Sequence, residues 1–140
     1  MAKNNGLVIH NQSYPSIKDT RKMIIEEVVG KIHSNDISLD LTKDELYLVI
    51  DEALTNAMEH GNSWDPSKQI SVLITLHAGT LDIRITDEGR GFTKDVMEQT
   101  LEAVRNLKPR GRGIFIIKQF CNPSWNEKGN QIDLHFTLQK

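Results

Sequence analysis

The stretch DEALTNAMEHGN, residues 51–62, decides how this chain is read. Placed on a helix at about 100° per residue, Leu46, Ile50, Ala53 and Ala57 point one way and form a core face. Glu45, Glu52, Asn56 and Glu59 form a second stripe, displaced by roughly a quarter turn or more, with Val49 and His60 on the border. Glu52 and Asn56 then stand one above the other at the rim of the core. A carboxylate and an amide oxygen offer only hard donors, and magnesium suits such an edge because it takes few protein ligands and keeps its other positions for water and phosphate oxygens. Alone, the same stripe also fits the solvated flank of an amphipathic helix. His60 has no second histidine four residues away and no neighbouring cysteine, so the segment is not a zinc motif.

Working outward, Thr42 with Glu45 three residues on forms a capping box that opens this helix, which should run to Gly61. Upstream, GLVIHNQ reads as a first strand. Ser16 is then a candidate N-cap, with Asp19 following, for a helix carrying Ile17, Ile24, Ile25, Val28 and Ile32 and ending near Gly30 to His33. Downstream of NSWDPSK the period changes to two. Ile70, Val72, Ile74 and Leu76 share one strand face, Leu81, Ile83 and Ile85 share the next, and HAGT between them is a hairpin turn. Residues 94–107 lack strong turn signals and are compatible with a helix. KPRGRG is a loop, IFIIKQFC a buried helix, and NPSW with QIDLHFTLQ the last strands. Helices grouped with an antiparallel sheet predict a two-layer α+β domain.

Composition narrows the function classes. A chain of 140 residues fits one domain, residues 1–140, with room for a real core. A formal net charge of −2 gives no electrostatic footprint for nucleic acid or an anionic membrane. The single cysteine, Cys121, forms no internal disulfide, and the N-terminal apolar run is too short for a secretory signal, so a cytoplasmic location is expected. No apolar stretch approaches the roughly 20 residues that cross a bilayer.

Two further stretches complete a pocket. In TDEGRGF, Asp87 continues the parity of Leu81, Ile83 and Ile85, so its carboxylate should point to the core side. Such a carboxylate needs a hydrogen-bond donor, and the exocyclic amino group of adenine is a suitable one. Gly89 and Gly91 let the backbone pass close to a flat ring. In RGRGIFIIKQF, Gly111 and Gly113 lead into a helix whose unsatisfied N–H groups form an anion site, with Lys108, Arg110 and Arg112 crowded beside it. It is neither a Walker loop nor a three-glycine dinucleotide fingerprint.

Together and in this order, EALTNAMEHGN, DEGRGF and GRGIFIIKQF resemble the N, G1 and G2 boxes of the GHKL ATPase superfamily, over about residues 10–138. The branch it looks most like is that of the small serine kinases that act as bacterial anti-sigma factors. The resemblance implies the Bergerat fold, a two-layer sandwich with a mixed, mostly antiparallel sheet and helices on one face. It implies ATP and Mg2+ as ligands, Asn56 as the magnesium ligand, Glu52 as general base and Asp87 as adenine reader. Gly89, Gly91, Gly111 and Gly113 would shape the pocket, residues 93–110 would be the lid, and Lys108, Arg110 and Arg112 would lie near the phosphates. The implied partners are an anti-anti-sigma protein of the STAS type as phospho-acceptor, a sigma factor and a second copy of the chain. A nucleotide-dependent binding module without phosphoryl transfer is the alternative. Where relatives often carry an acidic residue after the G2 box, this chain has Asn122.

Overall fold

The computed structural model describes residues 6–89 and 112–139; the expected lid and the expected helix at 94–107 lie outside these residues. Five strands form one sheet in the order β1-β2-β3-β5-β4: β1 Leu7–Pro15, β2 Gln69–His77, β3 Thr80–Thr86, β4 Asn122–Trp125 and β5 Gln131–Thr137. All four pairings are antiparallel, where the resemblance implied a mixed sheet. Among the described residues the α-helices are α1 Arg21–Ser34, α2 Lys43–Thr55 and α3 Arg112–Phe120. The domain is α+β.

The register explains why the sheet has one dry face. Val72 pairs with Ile85, Ile74 with Ile83 and Leu76 with Leu81, and on the far side Leu81 pairs with Phe136, Ile83 with Leu134 and Ile85 with Ile132. Directly opposed residues share a face, so the three apolar rows become one continuous surface. Ile24, Ile25, Val28, Ile32, Leu46, Ile50, Ala53 and Ile117 from the helices close over it in a single core. Each of the larger aliphatic side chains among them contributes roughly 1.5–3 kcal/mol by leaving water. The other face is polar: Asp82 lies 3.1 Å from His77 and 2.7 Å from His135, whose second ring nitrogen is 3.0 Å from Ser124.

Sequence signals account for several of the element ends, but not for the start of α1. Thr42 accepts the backbone N–H of Glu45, and the Glu45 side chain accepts that of Thr42, which is the expected capping box. The hairpin between β2 and β3 closes over Ala78 and Gly79, with Gly79 at φ +88° where a side chain is disfavoured. Ser16 does not cap a helix. Its backbone N–H donates to Lys68 at 2.9 Å, continuing the β1–β2 pairing, and its side chain is fully buried. The helical region begins instead with a 3-10 turn, Lys18–Thr20, without a side-chain cap. Edge strand β1 is tied to α1 by a chain that runs from the interior to the surface: buried His10 Nε2 meets the Tyr14 hydroxyl at 2.8 Å, and that hydroxyl donates to exposed Glu27 at 3.0 Å.

Candidate functional site

The end of α2 does not simply stop. From Asn56 to Gly61 the backbone widens into a π-helix, closed by the Asn62 N–H on the Ala57 carbonyl at 2.9 Å, five residues back. Such widened turns recur at functional sites because they re-aim the following residues. The exit is tight, with Ser63 and Trp64 at φ 54° and 55°, a left-handed conformation that costs non-glycine residues roughly 1–2 kcal/mol each. What holds it is Asn62. Its fully buried carboxamide donates to the Gln69 carbonyl at 3.0 Å and accepts the Glu88 N–H at 2.8 Å, joining the helix end to the start of β2 and to the residues after β3.

The same turn presses Gly61 against the G1 segment. A Cβ at Gly61 would sit 2.3 Å from the Asp87 carboxylate, and one at Gly89 would sit 2.0 Å from the Gly61 carbonyl oxygen. Both glycines are therefore required by protein against protein. Sequence reasoning assigned Gly89 to ring clearance and took Gly61 only as a helix end.

Asp87 is buried, as strand parity predicts. Oδ1 accepts the Gly89 N–H at 2.8 Å, and the backbone is anchored by Asn130, which accepts the Asp87 N–H at 2.9 Å and donates its side-chain amide to the Asp87 carbonyl at 3.0 Å. Burial raises the carboxyl above its ordinary value of 3.8; the Gly89 hydrogen bond and the more distant Lys128 and Lys68 oppose that rise.

Asn56 and Asp87 line one cleft. Its walls include Ala53 and Ala57 from α2, Ile85 from β3, and Trp125, Gly129, Gln131 and Ile132 from the β4–β5 hairpin. The two alanines leave space where larger core residues would fill it. The cleft is narrow, about 20 Å³, which is water-sized, so a purine requires it to widen. Glu52 lies half-buried on α2 one turn before Asn56. Asn62, Trp125 and Gly129 were missed from sequence; only the NEKGN turn, where Gly129 has φ +84°, carried a local signal. Among the described residues no group of three or more His, Cys, Asp or Glu gathers as a metal cluster, and no helix is long and apolar enough to cross a membrane.

Of the G2 residues, Arg112 opens α3 and Gly113 follows, two residues ahead of the expected helix start. Gly91, Lys108, Arg110 and Gly111 lie outside the described residues.

Among similar proteins is an anti-sigma F factor of Anoxybacillus flavithermus, 33% identical over 115 residues, or 73% of this chain and 77% of that protein. Those of Geobacillus stearothermophilus and Shouchella clausii are 33% and 35% identical, over 60% and 59% of this chain. The chain spans only 61% and 60% of the length of these two relatives. A family model for the histidine kinase-like ATPase domain matches residues 24–136, which takes in α2, its π turn, Asp87 and α3. The chain belongs to the histidine kinase-like ATPase domain family.

Proposed function

We propose that this protein binds Mg-ATP and transfers the γ-phosphate to a serine of a small anti-anti-sigma partner of the STAS type, releasing ADP, and that it also binds a sigma factor. The observation that carries the reading is the shared cleft of Asn56 and Asp87, between the end of α2 and the end of β3. Membership of an ATPase domain family and similarity to anti-sigma F factors support it.

Each residue then has a physical task. Asp87 keeps Oδ1 on Gly89 and turns its other oxygen to the adenine amino group, while a purine bearing a carbonyl there would set acceptor against acceptor. The start of α3 directs unsatisfied N–H groups toward phosphate oxygens. Asn56 contributes an amide oxygen for magnesium; with one or two protein oxygens and the remainder from phosphates and water, the donor set fits the ion. Bound magnesium neutralises charge on the phosphates. Glu52, a turn before Asn56, accepts the proton of the incoming serine hydroxyl. Phosphoryl transfer asks little more than alignment and charge neutralisation.

The decisive experiment incubates the protein with labelled ATP, magnesium and the candidate acceptor. Label is expected on an acceptor serine, lost in Glu52→Gln while ATP binding persists. ATP binding without transfer in the wild type assigns the protein instead as a nucleotide-dependent binding module.

A further inference from the structure

A second and larger cavity, about 460 Å³, lies at the opposite end of α3 from the G2 glycines. We propose that it binds a small organic cation, an ammonium or amidinium-type group on an apolar body. Its volume falls within the range of small-molecule sites, roughly 300–1,000 Å³. Leu39, Leu41, Phe120 and Phe136 give apolar surface to a lining that is otherwise mostly polar, in which exposed Asp40 and half-buried Glu45 are the two carboxylates. Among the described residues, no lysine or arginine lines it. Its histidine, His135, is held by Asp82 through Nδ1 at 2.7 Å and by Ser124 through Nε2 at 3.0 Å. A phosphorylated or carboxylated ligand meets repulsion here, whereas a cation gains from both acids and from the aromatic rings.

The cavity wall is pre-built. The Thr42–Glu45 capping box uses one Glu45 oxygen and fixes the turn into α2, and Leu39 bridges to Leu138 while Gln139 donates to the Ser38 carbonyl at 2.8 Å. A site that needs little ordering loses little affinity to entropy. Because Gln119 and Phe120 of α3 line the cavity, occupation there bears on the helix whose other end meets the nucleotide. This coupling, unlike the binding itself, rests on the proposed ATP reading.

The test uses benzamidine against benzoate and benzyl alcohol, followed by amide NMR and calorimetry on the full chain without nucleotide. Saturable shifts of Leu39, Phe120 and Cys121 are expected with benzamidine and not with benzoate. Asp40→Asn with Glu45→Gln should weaken binding on the order of tenfold. Glutamine still completes a capping box, so the melting temperature should hold. Asn122→Trp, at an exposed position on the lining, should block binding by bulk. No saturable shift, equal binding of benzoate, or indifference to these substitutions overturns the proposal. An arginine-bearing hexapeptide binding far more tightly than the free cation overturns the small-molecule assignment in favour of a partner segment. With ATP present, saturating benzamidine should change ATP affinity about fivefold or more, in either direction. Unchanged affinity overturns the coupling; no ATP binding at all overturns the nucleotide reading and leaves the cavity to its own test.

Discussion

Removing the carboxamide of Asn62 tests whether the proposed nucleotide site is held together as the structure indicates. In Asn62→Ala two hydrogen bonds are lost, one from Nδ2 to the Gln69 carbonyl at 3.0 Å and one from the Glu88 N–H to Oδ1 at 2.8 Å. Gln69 and Glu88 are both exposed, so water replaces part of what is lost and the full cost of orphaned groups does not apply. At a net 0.5–1.5 kcal/mol per bond, the loss is about 1–3 kcal/mol. Unfolding entropy near 2.1 cal/mol/K per residue makes the midpoint for this chain fall by roughly 7 °C for a central loss of about 2 kcal/mol. Asn62→Asp is the sharper variant. It keeps an acceptor for Glu88 but sets an oxygen against the Gln69 carbonyl and buries a charge, so it should cost more than alanine. Urea unfolding without nucleotide, with the denaturant slope unchanged, measures both. A loss below about 0.5 kcal/mol for alanine, or an aspartate variant milder than alanine, refutes the role given to this side chain.

Other outcomes are expected as well. Asp87→Asn should have opposite effects on apo and bound protein. Burial raises this carboxyl, so the folded state gains stability as pH falls through the raised value and completes the gain below 3.8, while at neutral pH the buried charge is a cost. The variant should therefore melt higher than wild type at pH 7 without ligand, yet lose the stabilisation by Mg-ATP, about 2.7 kcal/mol at a hundredfold excess over Kd; a lower apo midpoint contradicts the account. Gly61→Ala should displace the Asp87 carboxylate, which lies 2.3 Å from the new Cβ, and weaken ATP binding on the order of tenfold in calorimetry. Gly30→Ala on α1, where a Cβ meets nothing within 4 Å, should instead stabilise by about 0.5–1 kcal/mol and leave ATP binding alone. For His10, burial lowers the ring below 6.5, so folding stability should drop as pH falls from 6.5 to the lowered value, by at most about 1.4 kcal/mol per pH unit; unfolding curves of His10→Gln should lack that component. Trp125 lines the cleft, so Mg-ATP should change its fluorescence, and Trp125→Phe should remove the change while Trp64 still emits.

Periodicity made some of this site legible in sequence. The spacing of Leu46, Ile50, Ala53 and Ala57 gave the buried face of α2, and all four are buried. The parity of Leu81, Ile83 and Ile85 carried one step past β3 to place Asp87 inward. These are local rules, since helix and strand geometry alone decide which side of an element a residue occupies. Ser16 failed where a distant partner competed: its N–H pairs with Lys68, which no local pattern announces. Asn62 was unreadable for the same reason, because its two partners sit on different segments, and the β1-β2-β3-β5-β4 order brought Trp125 and Gly129 to the cleft from another hairpin.

The distinction has a mechanical consequence for the site. Asp87 faces inward only because the Ile85–Ile132 pair fixes the parity of β3, and a one-residue slip would turn its carboxylate to solvent. Asn56 reaches the same cleft only while the π turn carries Gly61 and Asn62 against that strand end. The polar pair is thus positioned by an apolar register on one side and by two part-buried hydrogen bonds of Asn62 on the other. Their separation depends on the Asn62 strut more than on any residue that would touch a nucleotide, because apolar packing sets the facing of each element while the strut sets the distance between them.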